Sequence, residues 1–352
     1  MSCIFTDNSM QKINPITLLF VGLLLLVMSF LLNISLGSVS ISTLDIVQGI
    51  FSGHWARASW GQIILNYRIP KAVVAVVAGV GLGISGLQMQ TFFRNPLAGP
   101  FVLGISSGAG LGVAVLMLAG SAFGIIAFGS SINPWAIAIA GSLGAGIVLI
   151  TVSLVAWKVK DSMTLLIVGL MFGSAVSAIV SVLSYFSGAE ELKLFAIWSM
   201  GSLGGLVWNQ VWVLLMVCVL GIVPVVASVK SYNGMLLGES YAKSMGINPD
   251  RLRWLMIIST GLLAGCVTAF CGPIAFVGIA VPHLARMIWR TSDHRILFPA
   301  TAIIGAILLL LCDAVAQLPG SSQSLPINAV TSLVGAPIVI SLVLRKNFSK
   351  EF

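Results

Sequence analysis

The sequence predicts an all-α integral membrane protein with about ten transmembrane helices. Hydrophobic residues make up 58% of the 352 residues and charged residues only 8%, whereas a soluble domain usually carries about 25% charged residues. The apolar segments are about 20 residues long, the length that a helix needs to cross the hydrocarbon core, and they lack the alternation over about 10 residues that is typical of barrel strands. Since only helices and closed barrels satisfy their backbone polar groups in lipid, these segments are expected to be helices.

Ten apolar segments are candidate spans of one transmembrane domain over residues 1–352. In chain order they cover residues 14–36, 71–91, 100–119, 134–157, 164–186, 207–229, 252–271, 274–290, 297–316 and 327–344. The first is too long for a signal-peptide core and no strongly basic region precedes it, so we expect it to be a retained span. The Gly-Pro pair within 271–276 leaves open whether the seventh and eighth spans are separated by a turn or joined through a kink.

Lysine and arginine are distributed unevenly between the two sides of this topology. With the N-terminus inside and an even number of spans, both termini lie on the inner face. Of the 18 Lys and Arg residues, 14 then fall on the inner side, and Arg57, Arg68, Lys71 and Lys193 remain outside. This asymmetry is the positive-inside signal. The formal net charge of +8 therefore indicates topology rather than nucleic-acid binding, which would favour a basic stripe interleaved with aromatic residues.

Small residues spaced four apart form three stripes along predicted helices. The stripes are Ala75, Gly79 and Gly83; Gly104, Gly108 and Gly112; and Gly169, Gly173, Ser177 and Ser181. Such stripes let two helix backbones approach closely, so packing is the first interpretation. The hydroxyl groups of Ser177 and Ser181 leave a second interpretation open for the third stripe, namely the lining of a polar pathway.

Several strings resemble catalytic motifs but lack the required context. GLGISG at 81–86 fits a dinucleotide-binding pattern, yet it lies inside an apolar helix instead of following a strand. GISSG at 104–108 and GISG at 83–86 resemble serine-nucleophile motifs, but none of the three histidines lies mid-span as a base. No G-x-x-x-x-G-K-[ST] motif is present, so the chain is not expected to hydrolyse ATP or to be an enzyme.

Ionisable groups within the predicted spans are scarce. Asp313 lies near the outer end of the ninth span, where we expect a structural hydrogen bond, and His283, near the inner end of the eighth, is interpreted in the same way. Ion-coupled carriers usually need several such groups at mid-membrane, so an ion-coupled secondary transporter is the alternative hypothesis. The five cysteines lack metal-type spacing and are interpreted as small hydrophobic residues, and no metal or cofactor is predicted.

A polar segment, GESYAKSMGINPDR at 238–251, separates the sixth and seventh spans. Its residues from Ser240 to Met245 are mostly good helix formers, Gly246 is a C-terminal stop signal and Pro249 prevents continuation. The pattern predicts a short helix outside the membrane, and a solvated connector is the alternative.

Six long motifs follow one another in a fixed order. They are RIPKAVVAVVAGVGLGISGLQMQTFFRNPLAGPFVLGISSGAGLG (68–112), LLIVGLMFG (165–173), WSMGSLGG (198–205), LLGESYAKSMG (236–246), GPIAFVGIAVPHLAR (272–286) and LPINAVTSLVGAPIVISLVLRK (325–346). With them the chain resembles, from about residue 15 to its end, the FecCD-like permeases of type II ABC importers for iron chelates, haem and cobalamin. The resemblance implies a permease in a bacterial inner membrane that moves an iron chelate (ferric siderophore or haem) or cobalamin inward.

The resemblance also implies partners and a division of labour. Family members form homodimers or heterodimers of permease subunits surrounded by membrane lipid, with two ATPase subunits beneath and a periplasmic binding protein above. The fifth and tenth helices line the pathway, which implies that Gly169, Gly173, Ser177 and Ser181 lie along it. The loop over about 230–251 folds into short helices that contact the ATPase, through Gly238, Glu239, Ser240, Ala242, Lys243 and Gly246.

Two further sets of residues take their implied roles from the same resemblance. The cytoplasmic gate is implied to contain Asn95, Leu97, Ser162 and Met163, where Met163 replaces a small hydroxylated residue of the family. On the outer face, Arg57, Arg68 and Lys71 are implied to dock acidic residues of the binding protein. The last outer loop lacks a basic residue that some relatives use there, so the expected docking is either weaker or shifted towards Arg57 and Lys193.

Overall fold

The computed structural model describes residues 14–37, 39, 41–119, 133–159, 162–317 and 324–344. In these ranges all regular secondary structure is helical. The α-helices are α1 Pro15–Ser35, α2 Thr43–Ser52, α3 Ala58–Ile63, α4 Ile69–Phe93, α5 Ile105–Ala119, α6 Pro134–Lys158, α7 Ser162–Phe186, α8 Ala189–Ser199, α9 Trp208–Ala227, α10 Val229–Leu236, α11 Glu239–Ser244, α12 Pro249–Cys271, α13 Val277–Trp289, α14 His294–Ala316 and α15 Ile327–Leu344. A π-helical turn, Ile64–Arg68, joins α3 to α4, and a 3-10 turn, Pro100–Leu103, precedes α5.

In the described part of the chain, seven helical segments are long and apolar enough to cross a membrane. They are Pro15–Ser35, Ala58–Phe93, Pro134–Lys158, Met163–Phe186, Trp208–Ala227, Pro249–Cys271 and His294–Ala316. Three shorter apolar helices, Ile105–Ala119, Val277–Trp289 and Ile327–Ser341, lie at the other predicted spans. The all-helical, multi-pass membrane fold is therefore confirmed, while the number of ten crossings stays a prediction.

Asn-Pro pairs begin three of the long helices. The side chains of Asn14, Asn133 and Asn248 accept hydrogen bonds from the backbones at the starts of α1, α6 and α12, and a proline follows each of them. An asparagine cap satisfies an N–H group that has no partner within the helix, and proline has no N–H to satisfy. Pro249 is thus the first residue of α12, and the helix before it has already ended at Ser244.

Glycines let the most buried span, α4, lie directly against its neighbours. A Cβ at Gly86 would lie 1.7 Å from the carbonyl oxygen of Gly278 in α13, and a Cβ at Gly79 would lie 2.2 Å from that of Gly305 in α14. The packing interpretation is confirmed for the stripe that contains Gly79, because its backbone contacts that of α14.

The second stripe also packs, at Gly108 and Gly112 against α6 and at Gly104 against α7, where a Cβ would lie 3.2 Å from the carbonyl oxygen of Gly169. A Cβ at Gly112 would lie 2.0 Å from the carbonyl oxygen of Ala140, and one at Gly108 would lie 2.6 Å from that of Gly144, so α5 lies against α6. Gly104 differs, since it has φ 72° and ends the 3-10 turn before α5 begins. Its left-handed backbone separates the turn from the helix.

The seventh and eighth predicted spans are separated by a turn. Gly272 has φ 73° and Phe276 has φ 66°, so the backbone leaves the right-handed helical region on both sides of the segment. Ser202 donates its N–H to the carbonyl of Cys271 at 2.7 Å, and Ala275 donates to Asn328 Oδ1 at 2.9 Å. These bonds tie the turn to the loop before α9 and to the start of α15.

Candidate functional site

The helix predicted between the sixth and seventh spans is α11, and it ends as expected. Gly246, at φ 79°, donates its N–H to the carbonyl of Lys243 at 3.0 Å. The next residue, Ile247, donates to the carbonyl of Ala242 at 3.0 Å. These two bonds form a Schellman cap, in which a left-handed glycine stops the helix. The predicted short helix with its stop at Gly246 is therefore confirmed.

One side of α11 packs against the rest of this chain. Ala242 is completely buried. The Glu239 carboxylate accepts a charged hydrogen bond from the Arg253 guanidinium on α12, and Asp250 lies 3.9 Å from the same guanidinium. Because Ala242 packs within the subunit, it is not available on the open face of the helix, and a large residue there would displace α11 from its own bundle.

The opposite side of α11 borders an open groove of about 720 Å³. Tyr241 is 54% exposed there. The groove is lined by Arg94, Leu237, Gly238, Glu239, Ser240, Tyr241 and Ser244. Arg94 is the C-cap of α4, so the structure brings the predicted coupling helix beside the loop that holds two predicted gate residues.

That loop, residues 94–97, is called the gate loop below. Arg94 has φ 47° and turns the chain out of α4. The Asn95 side chain accepts the N–H of Leu97 at 2.9 Å, and the Asn95 N–H is donated back to the carbonyl of Gln90 at 3.1 Å. The loop is thus a compact turn attached to the last turns of α4, with Asn95 and Leu97 both half-buried.

The other predicted gate residues lie at the start of α7. Ser162 is its first residue, and the Met163 side chain is 64% exposed. Farther along α7, a Cβ at Gly169 would lie 2.1 Å from the carbonyl oxygen of Val102. Therefore α7 touches the 3-10 turn that follows the gate loop, which links the two halves of the predicted gate.

The third stripe divides into a packing half and an open half. Gly169 is buried, and a Cβ at Gly173 would lie 3.4 Å from Ser107 Oγ of α5. Ser177 and Ser181 are exposed, and the Ser181 hydroxyl donates to the carbonyl of Ser177 at 2.9 Å. The glycines thus serve helix packing, and the serines lie on a face that this chain leaves uncovered.

Both helices predicted to line the pathway have uncovered apolar side chains. On α7 these are Met163, Ile167, Leu170, Met171, Ile179 and Val182, and on α15 they are Leu333, Val334, Ile340 and Leu344. Such faces are covered by lipid, by a second subunit or by both, since the helices belong to a membrane protein.

Arg68, for which docking of the binding protein stays a prediction, is held by this chain. It is only 8% exposed, and its guanidinium donates to the carbonyls of Ile34 at 2.9 Å and Ser35 at 3.0 Å, and to that of Val39. The carbonyls of Ile34 and Ser35 belong to the last turn of α1, where carbonyl groups lack partners within the helix, and Val39 follows that turn. Arg68 therefore ties the end of α1 to the start of α4.

Lys71 also has a partner within the chain. Its Nζ lies 2.9 Å from Asp313 Oδ1, and Asp313 is 2% exposed. The other carboxylate oxygen accepts from Asn33 at 3.0 Å and from Gln317 at 2.8 Å. The structural hydrogen bond predicted for Asp313 is confirmed. The pairing with Lys71 was missed, and its only signal in the sequence is that an acid and a base each lie near the outer end of a span.

Arg57 is the remaining predicted docking residue, and it is exposed. Its guanidinium carbon lies 5.5 Å from the centroid of the Trp60 ring, a cation–π contact that leaves the charge in solvent. Some basic residues used for the topology lie outside the described residues, namely Lys12, Lys160, Arg345, Lys346 and Lys350. Cys3 lies outside them as well. The described cysteines, Cys218, Cys266, Cys271 and Cys312, are buried free thiols, in agreement with the prediction.

Comparison with known proteins shows the family of the chain. The model of the FecCD transport family matches residues 24–345. The chain belongs to the FecCD transport family. Two curated relatives, both vitamin B12 import system permease proteins BtuC, come from Salmonella typhi and Salmonella newport. Each is 33% identical over 323 residues, which cover 90% of this chain and 95% of the relative.

Solved structures agree with the family. A structure described as a metal-chelate type ABC transporter in an inward-facing conformation is 30% identical and superposes with a TM-score of 0.81, covering 93% of this chain and 98% of that one. PsaBC from Streptococcus pneumoniae, in complex with Fab, is 13% identical with a TM-score of 0.52, covering 88% and 98%. At that identity the second likeness shows the fold alone.

Proposed function

We propose that this FecCD-family chain is the permease subunit of an ABC importer that moves cobalamin or an iron chelate from periplasm to cytoplasm. Two ATPase subunits supply the energy. The observation that carries the proposal is α11, a capped helix with one buried side and one open side, placed beside the gate loop. A helix with contacts on both sides is what a mechanical link between an ATPase and a gate requires.

The exposed part of α11 supplies the proposed ATPase contact. Tyr241 and Lys243 lie on the open side, together with Ser240. Glu239 acts from within the subunit, because its ion pair with Arg253 holds α11 against α12. Gly238, at φ 103°, and Gly246 set the two ends of the helix. Ala242 supports the contact indirectly by packing the helix onto its own bundle.

A dimer of permease subunits would enclose the pathway between the open faces of α7 and α15. Ser177 and Ser181 then place hydroxyl groups among apolar side chains along it. Such a lining offers few specific contacts to a large cargo. This supports a division of labour in which a binding protein selects the cargo and the pathway only admits it.

The cargo class is proposed from the relatives and from the site together. The curated relatives are permeases of vitamin B12 import, and the solved neighbour at 30% identity is a metal-chelate type transporter. Cobalamin and iron chelates are both bulky, and a dimer interface accommodates bulky cargo more readily than the closely packed interior of one bundle, where α4 lies against α13 and α14 without a gap.

Docking of the binding protein is proposed at the outer ends of α3 and α4. Arg57 is the exposed cation there, and Lys71 keeps 22% of its side chain accessible beside Asp313. Arg68 contributes by fixing the outer end of the bundle. Both termini are proposed to be cytoplasmic, because Arg94, Lys243 and other basic residues then lie inside.

Purification in a mild detergent from the native membrane tests the assignment. We expect the chain to carry a P-loop subunit with vanadate-sensitive ATPase activity, whose rate changes when the binding protein is added. Recovery of the folded chain alone, with transport activity intact after reconstitution, would contradict it.

A further inference from the structure

The helix that leads into α11 has one face buried in the protein. α10 starts two residues after α9 ends, and Tyr232 within it is fully buried. Gly234 of α10 lies against Ile247, where a Cβ would be 2.2 Å from the Ile247 side chain. Because Ile247 caps α11, α10 and α11 form one compact unit. Any displacement of α11 must therefore move α10 or break this packing.

The Tyr232 side chain connects α10 to α4. Its hydroxyl donates to Gln88 Oε1 at 2.8 Å, and its ring makes an edge contact with Phe298 of α14, with centroids 5.1 Å apart. Gln88 is itself completely buried, and its amide nitrogen donates to Ser259 Oγ of α12 at 3.0 Å. A buried side-chain amide with both ends bonded is held in one position.

The neighbouring side chain, Asn233, makes a second connection. Its carbonyl oxygen accepts the backbone N–H of His294 at 2.8 Å and lies 2.9 Å from His294 Nδ1. Its amide nitrogen donates to Asp293 Oδ1 at 2.6 Å. His294 Nε2 in turn lies 3.0 Å from Thr91 Oγ1 on α4. Since the Asn233 oxygen can only accept, Nδ1 is the protonated nitrogen facing it.

Both connections reach the last two turns of α4, which hold the gate loop. Gln88 and Thr91 lie on these turns, and the Asn95 N–H is donated to the carbonyl of Gln90, between them. The Arg94 N–H is donated to Thr91 at 3.4 Å. Side-chain hydrogen bonds from α10 therefore reach the end of α4 that carries the gate loop, and α10 itself packs against the cap of α11.

We propose that Tyr232 and Asn233 are positioning residues that convert displacement of α11 into movement of the gate loop. The proposal rests on the function proposed above, since an ATPase must displace α11. Tyr232 is fully buried and Asn233 is half-buried, so both act through other residues of this chain. When α10 moves, each residue moves the end of α4 with it, because hydrogen bonds in a packed core change between discrete arrangements and do not lengthen.

Alkylation of the gate loop tests the proposal in the complex of this chain with its ATPase subunits. Leu97→Cys is introduced together with Cys3→Ser, so that the other thiols are the four buried ones. The rate of reaction with N-ethylmaleimide is measured without nucleotide and after trapping with ATP and vanadate. We expect trapping to change this rate. Tyr232→Phe removes only the hydroxyl group. In this variant we expect the difference in reaction rate between the free and the trapped complex to be about tenfold smaller, because a tenfold factor corresponds to one buried hydrogen bond whose partner is left unsatisfied.

Ser259→Ala is the matched control. It removes the partner of the Gln88 amide nitrogen and also the 2.7 Å bond from the Ser259 hydroxyl to the carbonyl of Gly221 on α9. Because neither bond involves α10, the nucleotide response should persist while thermal stability falls. Asn233→Ala cuts the second connection, and combined with Tyr232→Phe it should abolish the response. An unchanged response in Tyr232→Phe, or an equal loss in Tyr232→Phe and Ser259→Ala, would overturn the proposal. If the complex that carries only Leu97→Cys and Cys3→Ser shows no nucleotide response, the proposed function is refuted, and the proposed role of Tyr232 and Asn233 is refuted with it.

Discussion

At the end of the bundle where α4 begins, single side chains join distant parts of the chain. Arg68 binds three carbonyls at and beyond the end of α1, and Asp313 binds Lys71, Asn33 and Gln317. A charge in or near the membrane is stable only with such partners. The sequence predicts that Asp313 is structural, because it is a lone acid in a span. It cannot indicate which base faces it, because that depends on how the spans pack.

Replacing Asp313 with Asn should destabilise the protein by about 2 kcal/mol, since a hydrogen bond to a charged group is worth roughly that much and Lys71 loses its counter-ion. Thermal unfolding in detergent measures the change. Lys71→Met combined with Asp313→Asn should recover most of the loss, because no unpaired charge remains and the new amide oxygen can still accept from Asn33 and Gln317. If the double variant is as unstable as Asp313→Asn alone, the pair does not hold the bundle in this way.

At the scale of helices, the positions of the spans follow from the apolar segments, but two of their starts do not. The predicted spans at 100–119 and 274–290 include a 3-10 turn before Ile105 and an extended turn before Val277. Hydropathy does not register these breaks, because the residues in them are as apolar as those in the helices. Gly104 and Gly272 carry the local signal, through the left-handed backbone that glycine permits.

Gly86→Ala should prevent normal assembly of the bundle. The added methyl group would lie 1.7 Å from the Gly278 carbonyl oxygen, so α4 and α13 must separate, at a cost above about 3 kcal/mol. Yield of the monodisperse protein and its unfolding temperature report the loss. Gly110→Ala is the control, because nothing lies within 4 Å of its Cβ and alanine favours a helix. Equal stability of the two variants would contradict the close approach of α4 and α13.

The open face of α11 is expected to bind the ATPase, and Tyr241→Ala should weaken that binding by about tenfold or more, as loss of a central aromatic contact does in other interfaces. Because Tyr241 is 54% exposed, the unfolding temperature of the isolated chain should stay unchanged. Retention of the ATPase during gel filtration measures the effect. Tyr67→Ala, at the outer end of the bundle and 72% exposed, is the matched control and should retain the ATPase fully. Equal retention by both variants would exclude this face of α11.

At the scale of the whole molecule, a single chain leaves several surfaces uncovered. One end of the bundle presents α11, the opposite end presents Arg57, and the faces of α7 and α15 are not covered by this chain. The residues alone predict the membrane fold and the inner location of the basic loops. The partners follow instead from membership of the FecCD family, because a surface that binds another protein has no repeating sequence pattern by which it could be predicted.

The central claim is that ATP hydrolysis by partner subunits drives uptake through this chain. The measurement is uptake into proteoliposomes that contain the chain and its ATPase subunits and enclose ATP, with the binding protein outside. Radiolabelled cyanocobalamin and a ferric siderophore are offered in separate experiments. We predict that one of them accumulates only with both ATP and the ATPase, and that ionophores which collapse ion gradients leave the rate unchanged. Uptake that proceeds without the ATPase and stops when the gradients collapse would contradict the claim and identify an ion-coupled secondary transporter.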